Sequence, residues 1–253
     1  MIFRYIALIV IILGINLSTW AGERLRVATE GAFSPFNYVD EQGQPAGFDV
    51  DIAKALCEVL KTECEVIIVP WEQLLPRLGA GDFDMIVASM AETPERLRLA
   101  EFTDAYYQSP QAFIGRPNSG ISQVTPATVR GKVLATQRGT IYSDYLNKHY
   151  RDSAVIKLTD TLSAALEALV KGEADLVLAD VLISLPYIRT TIEQPLEIVG
   201  EPIPDNELSA HCHIQVRKGN LKLRDELNRA LREIKDNGAY SRISGKYFPF
   251  DIR

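Results

Sequence analysis

Two stretches of the chain end in groups able to hold a charge or a proton, and both follow one pattern. Residues 81–89 read GDFDMIVAS and residues 172–180 read GEADLVLAD. Each is preceded by leucines at the same spacing, Leu75 and Leu78 in one case, Leu166 and Leu169 in the other. The first stretch ends in the hydroxyl of Ser89 and the second in the carboxylate of Asp180. Each reads as helix, turn and buried strand. In open α/β sheets, ligands sit beyond the carboxyl ends of strands, so two such units facing each other would aim Ser89 and Asp180 into one cleft. Elsewhere, His211, Cys212 and His213 invite a metal reading. In a strand the histidines share one face and the thiol takes the other. Two ligands are too few for a structural zinc site, so no metal is expected. A place at a crossing between units offers them a different role, pH-sensitive closure. The stretch GFDVD at 47–51 is acidic, but Asp49 reads as a cap for the helix that follows. There is no Ser–His–Asp order and no pair of mutually tied carboxylates, so neither catalysis nor a cofactor is predicted.

These groups need elements to hold them. The 253 residues carry a formal charge of −6, with 47 % hydrophobic and 24 % charged residues. That suits one large globular domain or two small ones. The acidic balance argues against nucleic acid, which rewards clustered Lys and Arg. Residues 1–21 stand apart: Arg4, an apolar run from Ile6 to about Leu17, then STWA. This reads as a cleaved signal peptide ending near Ala21, because the run is too short for a spanning anchor. The rest of the chain is then an exported, soluble protein. Export makes a disulfide admissible. Cys57 sits in a helical stretch, DIAKALCEVLK, and Cys64 opens the apolar run CEVIIV. A helix–turn–strand brings them together, so a Cys57–Cys64 bridge is expected, the alternative being two buried thiols. Cys212 is left as a buried, inert thiol.

Strands and helices alternate along the whole chain. RLRVATE, CEVIIV and FDMIVAS read as strands, with helices between them; TPERLRLA starts a further helix behind Thr93 as cap and Pro94. From about residue 110 the plan restarts, and GKVLATQ echoes LRVATE at Ala28-Thr29 and Ala135-Thr136. The C-terminal stretch is helical, with Gly238 as a stop signal. The expected fold is α/β with two lobes, each a mainly parallel sheet flanked by helices. SPQAFIGR and SAHCHIQVRK read as crossings, which puts residues 22–110 and 212–253 in lobe one and 111–211 in lobe two.

The stretches TEGAFSPFNY, GFDVDIAKALC, DFDMIVASMAETPERLRLAEFT, GTIYSDYL, GEADLVLAD, VRKGN and NGAYSRISGKYFPFD occur in that order. Carrying them, the chain after the leader resembles the bacterial periplasmic amino-acid-binding proteins of ABC importers, solute-binding protein family 3. TEG and Trp71 in PWEQL resemble the branch that binds arginine, ornithine or opines, and the Cys57 and Cys64 spacing matches a bridge in relatives that bind cationic amino acids. The resemblance implies a two-lobe, type II periplasmic-binding fold that closes on one amino acid. It implies a periplasmic monomer with an inner-membrane ABC permease as partner, no nucleic acid and no cofactor. By motif, Arg96 holds the ligand's α-carboxylate and Asp180 its α-ammonium. Thr140 and Ile141 offer helix-opening amides to the carboxylate, and Ser89 adds a hydroxyl or carbonyl contact. Phe33 and Trp71 form apolar walls, and Glu30 meets a distal cation. Physical chemistry agrees for Arg96, a rigid fork suited to a carboxylate. For Asp180 the other role is a helix N-cap. The sequence departs from common patterns at Ala88, Ala91, Phe33, Ile141 and Tyr142, which makes the pocket drier. Other outcomes on this scaffold are a dehydratase of the cyclohexadienyl type, with Glu30 as acid, and a ligand-sensing subunit of a signalling system.

Overall fold

The computed structural model describes residues 24–117, 119–189 and 195–253. The expected signal peptide lies outside them. Among the described residues no helix is long and apolar enough to cross a membrane.

Two sheets carry the fold. In the first, the strands Cys64–Ile68, Leu25–Thr29, Met85–Ala91, His211–Arg217 and Ala100–Phe102 lie side by side in that order. The first three are parallel, and His211–Arg217 runs against them. In the second, the order is Val155–Thr159, Val133–Gln137, Leu176–Asp180, Gln111–Gly115 and Glu197–Ile203. Again three strands are parallel and the next runs against them. The two arrangements are copies: Val27 faces Met85 in one register, and Leu134 faces Leu176 in the other. Even the stitching repeats. Asp84 accepts from the Arg26 amide at 2.9 Å, and Asp175 accepts from the Val133 amide at 2.8 Å. The chain crosses between sheets just before Gln111 and returns just before His211.

Parallel pairs require crossover helices, and the apolar periodicity supplies them. The helix Phe48–Val59 buries Ile52, Ala53 and Leu56 completely. Its first residue, Phe48, sits edge-on to Phe36, Tyr107 and Tyr240 at 5.8–5.9 Å between ring centres. Such packing adds about 0.5–1.5 kcal/mol per pair beyond area burial and fixes where this helix begins. Cys57 and Cys64 are bridged, with their Cα atoms 6.0 Å apart, inside the usual range.

Some elements differ from the sequence reading. The helix expected from TPERLRLA is a single turn, Pro94–Leu97, because Ala100–Phe102 leaves it to join the sheet edge. The C-terminal helix breaks in two, Leu221–Asp236 and Ala239–Tyr247, at Gly238 with φ 77°. A three-stranded sheet of Ala32–Phe33, Asn37–Val39 and Pro45–Ala46, and the edge strand Glu197–Ile203, were not foreseen. All are short or outermost, so no strong alternation marks them. Asp49 is not a cap: Gly47 occupies the cap position of its helix and the Asp49 carboxylate turns inward.

Candidate functional site

The first sheet presents a cation. Beyond the strand Met85–Ala91, Thr93 Oγ1 accepts from the Arg96 amide at 3.2 Å and fixes the single turn that carries Arg96. That amide is used by the cap, so the charge Arg96 offers is on its side chain. Nη1 donates to the Ala91 carbonyl at 2.8 Å and Nη2 to the Gly139 carbonyl at 3.2 Å. The guanidinium carbon lies 5.3 Å from the Trp71 ring centre. No carboxylate pairs with Arg96 among the described residues, and burial pulls its pKa down while the charge of Asp144 works the other way. A desolvated guanidinium bonded only to carbonyls keeps its charge uncancelled and has the chemistry to receive an anion.

Glu30 follows the strand Leu25–Thr29 and is 6 % exposed. Its Oε1 accepts from Gln137 Nε2 at 2.5 Å. Burial pushes its carboxyl up to about 7, against that hydrogen bond. No Lys or Arg pairs with it among the described residues. Gln137 is its counterpart in the repeat, ending the strand of the second sheet that matches Leu25–Thr29. The hydrogen bond between them therefore spans the two sheets. Trp71 Nε1 to the Gly139 carbonyl, at 2.9 Å, and Ser163 Oγ to the Ala32 carbonyl, at 3.0 Å, also join segments that flank the one sheet to segments that flank the other.

Ser89 adopts φ 55°, in the left-handed region that a residue with a Cβ seldom enters. Its amide donates to the Tyr106 hydroxyl at 3.0 Å and its Oγ donates to Asp49 at 2.9 Å. Its carbonyl accepts from the Cys212 thiol at 3.3 Å. Asp49, fully buried, also accepts from Tyr106 at 2.6 Å and Asn37 at 2.7 Å. Burial lifts its carboxyl to about 6, with all three hydrogen bonds pulling downward. The Asp49–Tyr106 pair thus holds the strained Ser89 in place.

Thr140 caps the helix Ile141–Tyr150 through a capping box. Its amide donates to Ser143 Oγ at 3.2 Å, and its Oγ1 donates to the Gln137 carbonyl at 2.7 Å. The amide expected to meet a ligand is thus engaged within the cap; the Ile141 amide stays outside that box.

Asp180 ends the strand Leu176–Asp180 and caps the next helix, Val181–Arg189. Oδ1 accepts from Ser109 Oγ at 2.6 Å and from the amides of Leu182 at 2.6 Å and Ile183 at 3.3 Å. It is 1 % exposed, and burial lifts its carboxyl to about 6 against those bonds.

Glu30, Phe33, Trp71, Ser89, Arg96, Thr140 and Ile141 line one cavity between the two sheets. Asp180 stands opposite Gln111, which lines it, in the register of neighbouring strands, and its Oδ2 takes no part in the cap bonds. Both charges act on the buried Cys212 thiol. Burial raises the Cys212 thiol pKa, Asp180 raises it further, and Arg96 lowers it. Gln111, Gln137, Tyr142, Ser209 and Cys212, with Ala88 and Ala91, complete the wall. Gln137 was findable from the repeat, as the partner of Glu30; Gln111 and Ser209 stand beside the crossings, where no periodicity marks them. Cys212, expected to be inert, is buried but sits in the wall. His213 Nδ1 lies 2.8 Å from the Thr103 carbonyl, and burial lowers its pKa. His211 Nε2 lies 3.8 Å from Asp205. No cluster of three or more metal-ligating side chains forms among the described residues.

Residues 25–250 match the family described as bacterial extracellular solute-binding proteins, family 3. The chain is 32 % identical over 243 residues to an L-arginine-binding protein of Pseudomonas aeruginosa, covering 94 % of this chain and 93 % of that one. It is 29 % identical to a histidine-binding periplasmic protein of Salmonella typhimurium, covering 91 % and 89 %. Among solved structures, an ancestral arginine-binding protein bound to arginine superposes with TM-score 0.81 at 32 % identity, covering 90 % of this chain and 99 % of that one.

Proposed function

From the premise that this chain belongs to the bacterial extracellular solute-binding proteins of family 3, we propose that it captures a free amino acid by lobe closure and hands it to an ABC permease. One observation carries this reading. A guanidinium without a carboxylate and a carboxylate without a cation, Arg96 and Glu30, line the same desolvated cavity. Unpaired charges in such a place cost free energy until a ligand of matching charges arrives. An amino acid with a cationic side chain matches: its α-carboxylate meets the Arg96 fork, and its distal cation meets Glu30. Trp71 and Phe33 flank the aliphatic stem, as suits a guanidinium or its methylenes. Asp180, opposite Gln111 in the register and with Oδ2 outside its cap bonds, supplies the negative charge for the α-ammonium. The arginine- and histidine-binding relatives support the same ligand class.

The lobes in this reading are residues 22–110 with 212–253, and residues 111–211; sheet membership supports the division. The protein works as a periplasmic monomer. Calorimetry against L-arginine, L-ornithine, L-lysine, L-histidine and L-glutamine tests the reading. Micromolar or tighter binding of a cationic member is expected, and no heat from any of them would overturn it. A dehydratase is the second reading, favoured by a Glu30 carboxyl near 7, the range in which a general acid works. Growth of aromatic absorbance from prephenate or arogenate on adding protein would establish it, and no change would overturn it.

A further inference from the structure

Building on the amino-acid reading of this cavity and its lobe closure, we propose that Trp71 is a latch: its indole N–H holds the Gly139 carbonyl across the cleft and so sets how long a ligand stays bound. Trp71 opens the turn that follows the strand Cys64–Ile68 of the first sheet. Gly139 follows the strand Val133–Gln137 of the second. The indole nitrogen donates to the Gly139 carbonyl at 2.9 Å, an ordinary hydrogen-bond length. A phenyl ring would wall the cavity as Phe33 does; the indole adds a donor, which a wall does not need. Trp71 and Arg96 line the cavity, and with Gly139 they also line a second groove, shared with Leu99, which is 55 % exposed. These three residues are therefore a partition between the cavity and an outer groove. A ligand leaving on that side must part Trp71 from Gly139.

Both ends of the latch are held. On the donor side, the Arg96 guanidinium carbon lies 5.3 Å from the Trp71 ring centre, and a cation over an indole face attracts it. Arg96 Nη2 donates to the same Gly139 carbonyl at 3.2 Å, so both lone pairs of that oxygen are used from the first sheet's side. Arg96 spends two of its five N–H groups on carbonyls, which leaves three for a carboxylate. On the acceptor side, Gly139 adopts φ 67°, which glycine enters freely. Its carbonyl belongs to the peptide group whose N–H, that of Thr140, donates to Ser143 Oγ at 3.2 Å. One peptide plane is thus pinned at its oxygen by Trp71 and Arg96 and at its nitrogen by the capping box. The next amide is that of Ile141, which the box leaves out. Trp71 is in this sense a positioning residue: it fixes the peptide beside the amide that faces the ligand's carboxylate.

Calorimetry and rapid-chase kinetics on the full protein test this, with whichever of L-arginine, L-ornithine and L-histidine the unaltered protein binds. Replacing Trp71 by benzothienylalanine keeps the two-ring shape and removes only the N–H. Arg96 still serves the Gly139 carbonyl, so the loss is that of one neutral hydrogen bond. The expected effect is an affinity about 3- to 10-fold weaker, carried by faster dissociation, with the association rate changed less than about twofold. Each bound ligand should lose by the same factor, because the bond does not touch the ligand. Trp71→Phe should also speed dissociation, and it decides the matter if the analogue does not fold. An unchanged dissociation rate, a loss carried by association, or a loss confined to one of several bound ligands would overturn the proposal while leaving the amino-acid reading intact. An unaltered protein that binds no amino acid overturns both.

Discussion

In the first helix–turn–strand unit the strand runs two residues past Ser89, to Ala91; in the second it stops at Asp180 and a helix begins at once. Up to that point the units match. Gly81 and Gly172 turn with φ 87° and 77°, and Leu78 and Leu169 are both completely buried. The divergence determines what each sheet contributes. By continuing through a left-handed Ser89, the first strand delivers the chain to Thr93 and the turn that presents Arg96. By stopping, the second places Asp180 at a helix start, where amides hold its carboxylate in a buried position. A duplicated scaffold thus yields a cation on one side and an anion on the other, the pair to which the proposed reading assigns a dipolar ligand.

The comparison breaks most sharply at Arg96. Arg96→Met is expected to weaken amino-acid binding about 100-fold or more, since two charge-assisted hydrogen bonds go at once. The melting temperature should barely move, because Arg96 bonds only to two carbonyls. Asp180→Asn should do less to binding, about 10- to 50-fold by calorimetry. It should do more to the fold, about 1–3 kcal/mol by chemical denaturation, because one amide end replaces an acceptor that now serves three donors. Similar profiles for the two variants would contradict the asymmetry.

The pH dependence sharpens the comparison at the cavity's other carboxylate. Burial raises Glu30 to about 7, above its ordinary range, so it is ionised above pH 7 and neutral below. A cationic ligand binds the ionised form. Its affinity is therefore expected to be greatest above pH 7 and to fall about tenfold per unit below about 6.5. Titrations of L-arginine between pH 5 and 8 measure this, and Glu30→Gln should flatten the profile. The smallest effect on binding is expected from the bridge. Replacing Cys57 and Cys64 by alanine should remove about 2.5 kcal/mol of stability on the chain-entropy estimate and leave affinity unchanged, because neither cysteine lines the cavity.

Much of this was legible from residues alone. Apolar periodicity located the six parallel strands and the long helices, and the repeat paired Ser89 with Asp180 before any fold was known. Motif resemblance then named seven residues that line the cavity. The short elements were not legible, since a two-residue strand such as Ala32–Phe33 has no period to read. Nor was the role of Asp49, whose acidic neighbours suggested a cap. Its carboxylate instead meets Asn37, Ser89 and Tyr106, residues far apart in the chain.

What the chain determines by itself is the order of its elements and the kinds of charge they carry, because helix and strand periods, caps and turn glycines are local properties. Which of those charges stay unpaired is not local. Arg96 without an acid and Glu30 without a base become unscreened charges only because two separately built sheets close over them and exclude water. Desolvation belongs to the assembled cavity, and it turns ordinary side chains into a candidate site.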